Sequence, residues 1–227
     1  PAMTEAQAVR AIVTGAEIAG QTVEEGAQVL GVGEMGIGNT TTAAAVLAVL
    51  TGKPACAVTG RGAGVTDAAF AKKRETVARA VAVNRPDPAN VPDVLAKVGG
   101  FDIAAMAGAF LGAAYRRVPA VIDGYISAVA ALCAFRLCPA TKAFLIPSHA
   151  SFEIGSRVAM EAIGLTSLFD LGMRLGEGSG CPLAMMFLDA ACAVMNGMAT
   201  FEEAQIDDGY LEPIRASDAF TVKEKGL

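Results

Sequence analysis

Charge is scarce in this chain of 227 residues: only 18% are Asp, Glu, Lys or Arg, and the formal net charge is −5. No lysine or arginine stripe stands ready to release counterions from a phosphate backbone, which argues against nucleic acid as a partner. The five cysteines, Cys56, Cys133, Cys138, Cys181 and Cys192, form no C-x-x-C pair and are odd in number. Neither a disulfide framework nor a zinc site is suggested, no metal is expected, and the cytoplasm is the expected location. An uninterrupted apolar span is missing too. The longest apolar stretch, Val118 to Cys138, contains Asp123 and Arg136, and Thr40 to Leu50 is too short to cross a bilayer, so no membrane partner is expected. No signal-peptide pattern is present, and opening on Pro1 rather than on an initiator Met is compatible with a missing N-terminal segment. The lone histidine, His149, has no acid beside it and reads as polar lining.

What is abundant is small and apolar: 53% of residues are hydrophobic and 25 are glycine. A chain of this length can bury a sizeable core, and such richness without a span fits a buried parallel sheet under alanine-rich helices. Strands are expected at Ala27 to Val32, Ala55 to Thr59, Ala120 to Ile122, Ala143 to Ile146 and Ser167 to Leu171. Helices are expected from Thr4 towards Gly20, and at Thr40 to Leu50, Ala68 to Val83, Ile103 to Ala114, Gly124 to Leu137, Phe152 to Ile163 and Leu183 to Met195. Pro86 and Pro88 mark a break. This alternation predicts an α/β fold, a Rossmann-like parallel sheet with helices on both faces. The whole chain, 1–227, reads as one domain, with residues 1–25 and about 181–227 contributing part of a small helical domain.

Three glycine turns are expected at the ligand-binding edge of such a sheet: Gly31 to Gly38, Gly60 to Gly64 and Gly176 to Gly180. The first places Glu34 inside a turn that opens a helix. Glycines let backbone approach a ligand and a helix start offers N–H groups to anions, but a carboxylate there repels phosphate. Glu34 is therefore better suited to a proton, a cationic ring or a sugar hydroxyl. Gly31, Gly33 and Gly36 also satisfy G-x-G-x-x-G, which leaves a dinucleotide site open, with Arg61 in place of the acidic ribose ligand, as well as a reading in which the glycines serve close packing. Glu177, between Gly176 and Gly178, is a candidate general base, because a carboxylate in a dry, concave turn binds its proton more tightly. Lys73, with Lys72, Arg74 and Arg61, supplies the concentrated positive charge, suited to a phosphate or to a solvated helix face. The methionines at 185, 186, 195 and 198 read as core filling.

The run Gly33-Glu34-Met35-Gly36-Ile37-Gly38-Asn39-Thr40-Thr41 resembles the hallmark segment of the nicotinate-nucleotide:dimethylbenzimidazole phosphoribosyltransferase family, which makes the lower nucleotide of cobalamin. Residues 59–62, 100–109, 122–126 and 173–180 resemble further motifs of that family, in family order, and the likeness extends from Met3 to about Ile206. The resemblance implies transfer of the 5-phosphoribosyl group from nicotinate mononucleotide to a benzimidazole-type base, with no cofactor and a homodimeric assembly. It implies Glu177 as the general base and Glu34 as a second catalytic carboxylate. The backbone N–H groups of Gly36 and Gly38, with Lys73, would hold the ribosyl phosphate, Leu175 and Met35 would form apolar walls for the flat base, and Asn39, Gly176 and Gly178 would also bind substrate. Family members carry a substantial segment ahead of the position of Met3. Two other functions remain open from sequence: an NADP-dependent oxidoreductase, and a catalytically silent subunit needing a partner.

Overall fold

Three short aliphatic runs make the sheet: β1 (Leu30–Val32), β2 (Ala120–Ile122) and β3 (Leu145–Pro147). All pair in parallel, in the order β1-β2-β3, with Val32 opposite Ile122 and Ile122 opposite Pro147. The central strand is buried at every residue, as expected when both faces of a parallel strand are covered. The computed structural model describes residues 1–216 except 63 and 208. Ala63 of the expected second glycine turn and residues 217–227 of the expected helical appendage thus lie outside the described residues. The chain forms two compact units, Pro1–Met185 and a second beginning at Met186.

Helices carry most of the first unit. They are α1 (Glu5–Glu24), α2 (Asn39–Thr51), α3 (Ala55–Val58), α4 (Asp67–Asn84), α5 (Val91–Val98), α6 (Phe101–Tyr115), α7 (Tyr125–Leu137), α8 (Ile154–Ile163) and the start of α9 (Gly180–Gly197). Helix α1 begins on a capping box, with Thr4 and Gln7 satisfying each other's backbone N–H groups. Residues 43–50 of α2 and 125–134 of α7 are buried on every side, which accounts for the apolar composition. Helices α1 and α6 approach through glycines: a Cβ on Gly15 would overlap the Ala105 carbonyl, and one on Gly108 the Ile12 carbonyl. Alanine at either position would cost about 1–3 kcal/mol in forced displacement.

Several expected elements are corrected. Ala55 to Thr59 is not a strand but one helical turn, since Pro54 opens it and Thr59 bonds back to Ala55 through both its N–H and its hydroxyl. Ser167 to Leu171 forms only an isolated bridge, His149 to Phe169, between the left-handed glycines Gly164 and Gly172. The strand expected at 143–146 begins two residues later, because Pro139–Phe144 winds as a 3-10 helix. Beyond Pro88, Asn90 caps the unexpected α5 and Pro92 sits in its first turn, where its missing N–H costs nothing.

The second unit contains the rest of α9, a turn where the side-chain oxygens of Thr200 and Glu203 each accept from the other's backbone N–H, and the short helix α10 (Glu212–Arg215). As a single element, α9 is apolar and long enough to cross a membrane by length and composition alone. Sequence inspection did not expect such a segment.

Candidate active site

Two of the glycine turns meet. The first leaves β1 at Val32 and enters α2 at Asn39; the third runs into α9 at Gly180. A Cβ on Gly33 would overlap the Gly178 backbone, and the Glu177 N–H donates to the Glu34 carbonyl at 2.9 Å. A Cβ on Gly31 would press against Cys181. Two of the three glycines of the G-x-G-x-x-G pattern therefore serve close packing, Gly31 of strand β1 on helix α9 and Gly33 of one turn on the other, rather than approach to a pyrophosphate.

Asp123 fastens this junction from the end of the central strand. It is 1% exposed, and its carboxylate accepts from the N–H groups of Gly178 (3.0 Å) and Gly180 (2.7 Å). Its own backbone is held by Ser127 and Ser148, and the Ser127 hydroxyl reaches across to the Val32 carbonyl at 2.6 Å. In the sequence Asp123 is noted as an interruption in an apolar run and within the motif at 122–126, with no role of its own. The available signal was its position, an acid immediately after a strand and before a helix.

Glu34, Met35, Glu177 and Gly178 line one cleft of about 360 Å³ with Gly31 and Gly33. Glu34 is half-buried, and burial above all pushes its carboxyl above the usual range, aided by the negative charges of Asp102, Asp123 and Glu177 and opposed by a hydrogen bond from Asn39. Glu177 does not have the dry surroundings expected of it. It is exposed, and it holds a left-handed backbone, φ 57°, between left-handed Gly176 and Gly178. The burial anticipated for Glu177 belongs to Glu34 instead.

A cationic corner lies at the start of α2, where Gly38 provides no side-chain cap. Lys73 donates to the Thr40 hydroxyl at 2.8 Å and to the Gly60 carbonyl at 2.9 Å. Burial lowers its pKa and the Glu153 carboxylate opposes that shift. Glu153 accepts from the Gly62 N–H at 2.7 Å, linking the second glycine turn to the segment before α8. Arg61 is committed elsewhere: it pairs with Asp67 and lies over the Phe70 ring, leaving the 2′-phosphate role of the dinucleotide reading unsupported.

The remaining expected residues separate. Met35 and Leu175 are 64% and 67% exposed, so they stand at the surface rather than as closed walls, and Leu175 is not part of the cleft lining. Asn39 turns its amide towards Glu34 and Asp102. His149 is buried, not loosely lining: its Nδ1 is 3.1 Å from the Ser148 hydroxyl and its ring stacks on Phe169, while burial lowers its pKa against the pull of Asp123. The larger cavity, about 790 Å³ along α1 and α6, is apolar, and its Glu24 is already paired with Arg116. Chemistry therefore favours the smaller cleft.

Residues 1–206 match the family described as Phosphoribosyltransferase. A protein of Clostridium perfringens named nicotinate-nucleotide–dimethylbenzimidazole phosphoribosyltransferase is 50% identical, covering 98% of this chain and 62% of its own length. One of the same name from Roseiflexus is 51% identical over 91% of this chain and 58% of its own. The crystal structure of CobT from Thermus thermophilus superposes with a TM-score of 0.86 at 44% identity, covering 92% of this chain and 62% of that one. The chain thus spans about three fifths of the length of the relatives it matches. By sequence and by fold, the chain belongs to this phosphoribosyltransferase family.

Proposed function

We propose that this chain transfers the 5-phosphoribosyl group of nicotinate mononucleotide to 5,6-dimethylbenzimidazole or a related base, giving α-ribazole 5′-phosphate and nicotinate. The observation that carries the reading is the meeting of Glu34 and Glu177 in one cleft, clasped by Asp123, in a chain about 50% identical to proteins named for that reaction. Benzimidazole nitrogen attacks the anomeric carbon as the bond to the pyridine nitrogen breaks and nicotinate departs. The proton on the other benzimidazole nitrogen passes to Glu177, which is exposed to an incoming base and whose turn is held by the Glu34 carbonyl at its own N–H and by Asp123 at the Gly178 N–H. Glu34 faces the positive charge that builds at the anomeric carbon. The start of α2, through Gly36, Gly38 and Asn39, and the Lys73 ammonium receive the phosphate. Met35 and Gly178 border the base, which enters from solvent past Leu175 and Gly176. Alignment of two rings, one base and charge stabilisation supply the catalysis, and no cofactor takes part.

The enzyme acts as a homodimer in the cytoplasm, with small molecules as its other partners and neither nucleic acid nor membrane. Against a membrane role for α9 stand its first residues: the Gly180 N–H is bound by Asp123, and Cys181 packs against Gly31. Its exposed Phe187, Val194 and Met195 suit an interface between protein subunits better than a span. Incubation with both substrates, followed by mass-resolved chromatography, tests the function. Equimolar nicotinate and α-ribazole phosphate are expected, and release of nicotinate without the α-nucleotide would reduce the activity to hydrolysis.

A further inference from the structure

We propose that Asp102, acting through the side-chain amide of Asn39, is a positioning residue that sets the orientation of Glu34 in the cleft. The inference rests on the phosphoribosyl-transfer reading of the site. Asn39 is the first residue of α2 and Asp102 lies in the first turn of α6. The Asn39 amide nitrogen donates to Glu34 Oε2 at 2.5 Å and to Asp102 Oδ2 at 3.0 Å, so both of its hydrogens are used by carboxylates. Its carbonyl oxygen is buried with no partner among the described residues. Turning the amide over would set that oxygen against two acids, so Asp102 fixes which way Asn39 faces, and Asn39 fixes one oxygen of Glu34. The other oxygen, Oε1, then lies towards the turn that carries Glu177: a Cβ placed on Gly176 would be 3.5 Å from it. An acid at 102 thereby aims a carboxylate in the cleft through an amide at 39.

The groups acting on Glu34 are the charges of Asp102, Asp123 and Glu177, which hold its proton on, and the Asn39 hydrogen bond, which draws it off, all beneath the larger effect of burial. Removing the charge at 102 while keeping an acceptor therefore has a signed consequence. In Asp102→Asn, Glu34 titrates at lower pH and the limb of the kcat/KM profile that reports it moves the same way. In Asp102→Ala, Asn39 is free to turn and kcat falls on the order of tenfold to a hundredfold, as expected for a misplaced group. KM for nicotinate mononucleotide stays as it was, and Asp102→Asn restores most of the lost kcat.

The test uses the full chain, with wild type and Glu177→Gln in parallel, and reads the Glu34 carboxyl by carbon-13 NMR, assigned with Glu34→Gln. A merely structural role at the start of α6 would lower the melting temperature of both Asp102 variants and leave the Glu34 titration where it was; that result overturns the proposal. So does full kcat in Asp102→Ala. A wild-type chain without transfer activity would refute the reaction instead, and the carboxyl titration would then decide the positioning role by itself.

Discussion

Gly33→Ala is the most informative single perturbation of the clasp between the two turns. The added methyl would overlap both the N and the Cα of Gly178, which are backbone atoms that cannot swing aside. Restoring carbon contacts to ordinary van der Waals separation requires a shift of about 1 Å. Gly178 is not free to yield alone, because its N–H is held by buried Asp123 and its neighbour Glu177 is bonded to the Glu34 carbonyl. The shift is therefore passed to the Glu177 turn. Overpacking of this kind costs about 1–3 kcal/mol of stability, and displacing a catalytic group by about 1 Å costs on the order of a hundredfold in rate. The assay is kcat for nicotinate release beside the melting temperature. Gly36→Ala is the folding comparison, since a Cβ there first meets Glu34 Oε2 at 3.6 Å, an ordinary contact. A Gly33→Ala enzyme with wild-type kcat and wild-type melting temperature would refute the claim that the two turns act as one unit.

Other outcomes follow from the same geometry. Glu34 has its pKa raised in the fold, so it contributes stability most fully below its unfolded pKa and that contribution is lost as pH rises through the folded value. Glu34→Gln should flatten this fall in denaturant titrations run from acidic to neutral pH; an unchanged slope would contradict the burial of the carboxyl. Lys73→Ala should weaken nicotinate mononucleotide by about 1.5–3 kcal/mol, as for a lost charge-assisted hydrogen bond. Calorimetry with the dephosphorylated riboside as control should show no such loss, and an equal loss for both ligands would remove Lys73 from phosphate binding. Glu177→Gly should be more stable than Glu177→Ala by about 1 kcal/mol, because a Cβ makes φ 57° costly and glycine carries none, with no recovery of activity. Equal melting temperatures for the two would mean that the turn relaxes.

Much of the fold was legible because burial and periodicity agree along the long helices. The apolar runs of α2, α6 and α7 admit no other placement, and Ala120 to Ile122 is uniformly aliphatic between turn signals. The misread elements are short ones whose state is set by neighbours. Ala55 to Val58 is as apolar as a strand, but the segment closes on itself through Thr59 instead of pairing, and β1 stays an edge strand among the described residues. Residues 167–171 have strand-like character, yet the chain supports one bridge there.

At the site, Glu34 and Glu177 stood out because a charged residue among glycines is conspicuous. Asp102 and Glu153 did not, since each acts across 63 or 91 residues of chain through a hydrogen bond that no local pattern announces; Asp123, 55 residues from Gly178, was marked only by its place after a strand and before a helix. Burial was also misassigned between the two glutamates. Flanking glycines signal a turn, whereas dryness depends on what packs over it: the third turn covers Glu34 and leaves Glu177 facing solvent.

The central claim is that Glu177 accepts the proton of the incoming base. Its most direct test is turnover of Glu177→Gln beside wild type, with nicotinate mononucleotide and 5,6-dimethylbenzimidazole saturating and the fold checked by circular dichroism. The account predicts a folded variant that binds the nucleotide as wild type does and loses α-ribazole phosphate formation by at least a hundredfold, as on the order of removing a general base. Wild-type turnover in Glu177→Gln would contradict it.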